Sequence, residues 1–185
     1  YTEITGPGGS PADMTFLAEV LAPVLGFLRR TDASSALLTE LDAELRARGA
    51  VRPLITVLGA VSVVQYGISF PATMAAGTEA IALAESNGTP ELASLAANVL
   101  VLCAAAMGDR PACERAAALL ADVPEPERRA MGPIGLGYLA LNQGRLEDAD
   151  AHYRVVHAMS PIGQGLVRWE PEWIETLIRA GRRDE

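Results

Sequence analysis

Apolar residues recur along this chain at steps of three and four. Leu37, Leu38, Leu41 and Leu45 form one such stripe, a spacing that places them on one face of an α-helix. Asp32 precedes the stripe as a cap and Gly49 follows it, so a helix is predicted from Asp32 to about Arg48. The same reading predicts helices over about 52–66, stopping at Gly67, and over 71–86, stopping at Asn87-Gly88. A helix over 90–107 takes Thr89 as its cap and Pro90 at its first position. Further helices follow at about 111–121, at 127–142 with Pro133 as a potential break, at 146–159, and at 168–180 ending on Gly181. Ahead of them all, Phe16, Leu17, Val20, Leu21, Val24 and Leu28 predict a helix from about Asp13 to Arg30, kinked or split at Pro23. Residues 1–12, with the Gly- and Pro-rich TGPGGSP, read as a loop or linker. No segment alternates like a strand. The expectation is an all-α chain of about eight or nine helices over 13–185.

The breaks between helices are themselves periodic. Gly108, Gly144 and Gly181 stand 36 and 37 residues apart, and Gly67 precedes Gly108 by 41. A period in the mid-thirties with two helices per unit is the mark of a helical-repeat array. Around Gly144 the chain resembles the tetratricopeptide repeat. Leu136 and Gly137 take that motif's Leu-Gly pair, Ala140 its next small position, and Ala149, Tyr153 and Val156 its second-helix positions, with Pro161 closing the unit. Pro133 stands where the motif opens on Trp. Around Gly108 the match is looser, through Leu100, Val101, Ala104, Cys113, Ala117 and Leu120. The resemblance implies a tetratricopeptide-like superhelix of antiparallel helix pairs. The physics of the pattern is independent of it. Two helices joined by a tight turn must approach closely; Gly137 and Ala149 leave room, and Tyr153 and Leu136 fill the space beside them.

The order of segments is similar to a narrower group. ELRARGAVRPLITVL, AGTEAIALAESNGTPEL, CAAAMGDRPACERAAALL, GYLALNQGRLEDADAHYRVV and WEPEWIETLIRAGRRDE follow one another as in the C-terminal helical-repeat region of large LuxR-type transcriptional regulators of actinobacteria. Members carry a nucleotide-binding module before the repeats and a helix-turn-helix after them. The resemblance covers about Glu44 to Glu185 and implies a cytoplasmic sensor or scaffold segment of a longer protein. Neither the P-loop nor the recognition helix falls within this chain, so the resemblance transfers no cofactor, catalytic residue or nucleic-acid contact. A free-standing tetratricopeptide adaptor that scaffolds a complex is the alternative.

Composition narrows the chemistry. The net charge of −8 opposes gripping a phosphate backbone, which needs a basic face. All fifteen basic residues are arginine, which removes Schiff-base and P-loop lysine chemistry. The uncharged run between Arg52 and Glu79 is punctuated by Pro53, Gln65, Gly67, Ser69 and Pro71, which favours a buried helix and a turn over a membrane span. His152 and His157 are five apart and do not share a helix face as paired metal ligands would. Cys103 and Cys113 flank the Gly108 turn and read as small packing residues, with a redox pair as the alternative. Glu170, Glu172 and Glu175 lie with Trp169 and Trp173 at a helix start, where acids suit the dipole; acid–base catalysis would need a partner that the segment does not offer.

In a tetratricopeptide-like array the first helix of each pair lines the groove. In this register Gln65, Asn98, Tyr138, Asn142, Arg168, Glu175 and Arg179 face it. Asn and Tyr can hydrogen-bond an extended peptide and Arg can pair a carboxylate. The partners expected are therefore a peptide, a small effector or another domain of the parent protein, with pairing of exposed array ends into a homodimer also open. Replacing Gly137 with Leu should overpack the helix contact and lower stability by about 1–3 kcal/mol or more, read from a denaturation curve against the unaltered protein.

Overall fold

The structure, a computed structural model, describes residues 10, 31–159 and 168–182. The predicted helix over 13–30, nearly all of the loop at 1–12, and Pro161 lie outside the described residues. The helices are α1 (Thr31–Arg48), α2 (Val51–Gln65), α3 (Phe70–Ser86), α4 (Ser94–Met107), α5 (Arg110–Leu120), α6 (Pro126–Asn142), α7 (Leu146–Met159) and α8 (Glu170–Arg179), with a 3₁₀ turn at Pro90–Ala93 before α4. The fold is all-α, and no strand occurs among the described residues. Observed ends fall within about two residues of the expected ones, as the stop signals are local, except that α4 begins at Ser94 rather than at Pro90.

Five of the turns share one geometry. Gly49, Gly88, Gly108, Gly144 and Gly181 are left-handed, with φ between 63° and 77°. The residue after each glycine donates its N–H to the carbonyl five residues back, as Arg145 does to Ala140 at 2.9 Å and Arg182 to Leu177 at 2.8 Å. The glycine itself donates to the carbonyl three back. Two orphan carbonyls at each helix end are satisfied in this way. Gly67 departs from the set expected of it. It is not left-handed. There Ile68 and Ser69 both donate to the Gln65 carbonyl, at 2.9 and 2.8 Å, and the Ser69 hydroxyl caps α3 by accepting from the Ala72 N–H. A serine cap starts the next helix at this turn, so no left-handed residue is needed to end the previous one.

Two other expectations change. The Thr89 side chain makes no capping bond, and its hydroxyl oxygen is buried without a hydrogen-bond partner among the described residues. The chain leaves Gly88 through the tighter 3₁₀ turn, where Leu92 donates to the Thr89 carbonyl at 3.1 Å. Pro133 does not break α6, which runs unbroken from Pro126 to Asn142. It deprives one carbonyl of a donor near the helix start, and the turns on either side continue.

Contacts divide the chain into two compact units, residues 1–99 and 100–185, with the boundary inside α4. In the first, Leu37, Leu38, Leu41 and Leu45 of α1, Ile55 and Val57 of α2 and Ile81 of α3 are all nearly inaccessible to solvent. Each such side chain contributes about 1.5–3 kcal/mol of burial. Arg46 forks onto both oxygens of Glu79 of α3, at 2.7 and 3.0 Å, and also bonds Asp42. That hydrogen bonding holds the Glu79 carboxyl below its ordinary range.

In the second unit α6 touches a different neighbour at each of three glycines. A methyl group on Gly132 would stand 3.3 Å from the Ala117 carbonyl of α5. One on Gly135 would fall 2.3 Å from Val101 of α4, and one on Gly137 2.9 Å from the Tyr153 ring of α7. The Leu-Gly pair is thus divided between two tasks. Gly137 receives Tyr153, whereas Leu136, expected beside it, lines a surface cleft. Tyr153 is fully buried, as are Ala140, Ala149 and Val156.

Gly144→Ala should cost about 1 kcal/mol, because an L side chain is strained in the left-handed region although the space is open. Gly67→Ala, equally open and not left-handed, should be neutral or slightly stabilising in the same urea titration.

Candidate functional site

The groove candidates fall into the two units. Gln65 closes α2 and is half-buried, while Asn98 lies on α4 with its side-chain oxygen buried and without a hydrogen-bond partner among the described residues. Both belong to the first unit. Tyr138, Asn142, Arg168, Glu175 and Arg179 belong to the second. Asn142 is committed to structure: its amide donates to the Ala105 carbonyl of α4 at 3.3 Å. Glu175 and Arg179 pair with one another along α8 at 3.3 Å. Arg168 is exposed just before α8.

Tyr138 and Glu175 both bear electrostatically on Tyr153 of α7. Burial raises the Tyr153 phenol well above its ordinary range, and Glu172, Tyr138 and Glu175 push it in the same direction. Its hydroxyl oxygen has no hydrogen-bond partner among the described residues, and neither does one buried carboxylate oxygen of Glu172. Glu172 was legible as a helix-start acid, but its burial was not. Tyr153 passes over Gly137, so its hydroxyl reaches a place that its own helix does not reveal.

Asp150 was missed altogether. Nothing in DADAHYR separates it from its exposed neighbour Asp148. In the fold Asp150 is buried, and it ties α7 to the chain around α8. Its Oδ1 accepts from the Trp173 indole N–H at 2.8 Å, and its Oδ2 accepts from Arg154 at 3.0 Å and Arg182 at 2.7 Å. Burial pushes this carboxyl up, but the three donors outweigh it and hold the group below its ordinary value of 3.8. Beside it, Trp169 stacks on Tyr153 at 6.5 Å, and the Trp169 and Trp173 rings lie 5.6 Å apart. His157 lies 5.4 Å from Trp173. Its ring is part of this aromatic cluster, whereas burial lowers the His152 imidazole. Among the described residues no three His, Cys, Asp or Glu side chains gather as a metal site.

Cys103 and Cys113 are buried free thiols. Burial pushes the Cys113 thiol up to about 12, so it is not a thiolate nucleophile at neutral pH. The stretch Pro90–Met107 is apolar and long enough by composition to cross a membrane, but 56% of it is buried within the protein, as in a core helix.

A second feature of this unit is an open cleft of about 510 Å³ between α5, α6 and α7. Ala117 and Ala121 line it from the α5 side, Gly132 and Leu136 from α6, and Val155 and Met159 from α7, with Glu114 and Arg129 also among the lining residues.

Comparison with protein-family models, with curated proteins and with solved structures found no match to this chain. The likeness to tetratricopeptide and LuxR-type repeats therefore stands on the motif residues alone.

Asp150→Asn should lower stability by about 1–3 kcal/mol at neutral pH, since an amide accepts less strongly from the two arginines. The folded value is depressed, so the carboxylate stabilises the fold above about 3.8 and that contribution is lost as pH falls through the folded value. Melting temperature measured from pH 7 to pH 2 should accordingly fall more steeply for the unaltered protein than for the variant.

Proposed function

We propose that this chain is the helical-repeat sensor or interaction segment of a cytoplasmic LuxR-type transcriptional regulator. It binds a peptide, a small effector or a neighbouring domain, and performs no catalysis itself. The observation that supports the reading is a pair of buried oxygens, the Tyr153 hydroxyl of α7 and one carboxylate oxygen of Glu172 of α8, that have no hydrogen-bond partner among the described residues. Buried polar groups are ordinarily paired, so a ligand that donates hydrogen bonds has somewhere to gain affinity.

The mechanism is a population shift. A ligand that prefers one arrangement of the repeats changes how the flanking modules meet. The reading frame around the segment comes first: a nucleotide-binding module before it and a helix-turn-helix after it are expected. Stop codons close to Tyr1 and Glu185 would favour the free-standing adaptor instead. In the parent, Tyr138→Ala should weaken ligand binding about tenfold, roughly 1.4 kcal/mol, and reduce the ligand's effect on DNA affinity in parallel. Ligands that bind without altering nucleotide or DNA affinity would overturn the regulatory reading.

A further inference from the structure

The cleft between α5, α6 and α7 is separate from the polar residues of that reading. Small residues create it. Gly132 lies against the Ala117 carbonyl, and Ala117, Ala118 and Ala121 add only methyl groups to the α5 wall. On the other wall, Val155 of α7 is 49% exposed. An apolar surface of this kind left open in a cleft of about 510 Å³ has the size and lining of a small-molecule site.

Its polar groups are few and asymmetric. Arg129 is half-buried, and its Nη1 donates to the Val123 carbonyl at 3.3 Å, which holds the guanidinium at the cleft. No carboxylate lies within ion-pair distance of it among the described residues. Glu114, the acidic group at the same cleft, is half exposed and pairs with Arg110 of its own helix at 3.5 Å. In a chain of net charge −8, an arginine with no acidic partner beside an apolar cleft is a local inversion of the charge balance. A half-buried guanidinium is stabilised by an anion that can accept in its plane.

We propose that this cleft binds an amphiphilic carboxylate, its aliphatic body against Ala117, Ala121, Gly132, Leu136 and Val155 and its head group on Arg129. The body removes apolar surface from water on both walls. The head takes N–H donors of Arg129 that the Val123 contact does not use. Glu114 also lines the cleft and disfavours an anion placed beside it, so the head group belongs on Arg129.

Decanoate, kept below its micelle-forming concentration, is the probe. Titration of the whole chain followed by calorimetry and by amide NMR should give saturable one-to-one binding, with shifts centred on α5, the first half of α6 and the end of α7. Arg129→Gln should weaken it about 10- to 100-fold, the range of a charge-assisted hydrogen bond, and Arg129→Lys should recover part of the loss. Ala118→Phe, at an exposed wall position, should block binding while the melting temperature stays near that of the parent. Decylamine should bind more weakly than decanoate. Equal binding of the amine, affinity untouched by Arg129→Gln, non-saturating uptake, or no binding at all would each overturn the proposal. Tyr138→Ala should leave decanoate binding unchanged, so the groove reading and this one fail separately.

Discussion

The second unit depends on how closely helices can approach α6. At Gly135 and Gly137 the neighbouring side chains occupy the volume where any other residue would put its first carbon. Val101 and Tyr153 are then drawn against backbone, and Tyr153 is wholly buried, the largest of the fully buried side chains among the described residues. Glycine inside a helix costs about 1 kcal/mol against alanine. Three of them within six residues are tolerable only because each is answered by contact with a different helix.

From that approach the rest of the unit follows. With Tyr153 seated, its outer face becomes the surface on which Trp169 stacks, and Trp173 reaches Asp150 beyond it. A buried carboxylate would oppose folding if left alone. Three donors converge on it from α7 and α8, and the last, Arg182, is delivered by the left-handed turn at Gly181. Helix closure and side-chain pairing are therefore coupled at this end of the unit.

The same economy of side chains has consequences at the surface. Residues small enough to let backbones meet leave gaps where no neighbour arrives. Ala117 and Gly132 touch at their backbones, and the cleft opens beside them. Tyr153 is placed by its ring, so its hydroxyl goes where the ring sends it and is buried without a hydrogen-bond partner among the described residues. Both candidate binding surfaces are in this sense by-products of packing, and chemistry enters through the few polar groups that border them.

The all-α class, the helix ends and the glycine period were legible because each rests on local signals. A heptad-like stripe, a capping serine or aspartate and a left-handed glycine act within a turn or two of themselves, whatever the rest of the chain does. Gly67 and Thr89 show the limit of that logic, since a helix end can be closed from either side of a turn and the local sequence admits both. Asp150 and the lack of an acidic partner for Arg129 among the described residues lay beyond it. Whether a charge is exposed, answered or left alone depends on what residues far along the chain bring to it, and Asp150 meets Trp173 and Arg182 only after α7 and α8 pack. The sequence by itself determined which segments are helical and where small residues permit contact. The tertiary structure alone decided which polar groups were left facing a gap, because burial and pairing are properties of the assembled neighbours rather than of any one segment.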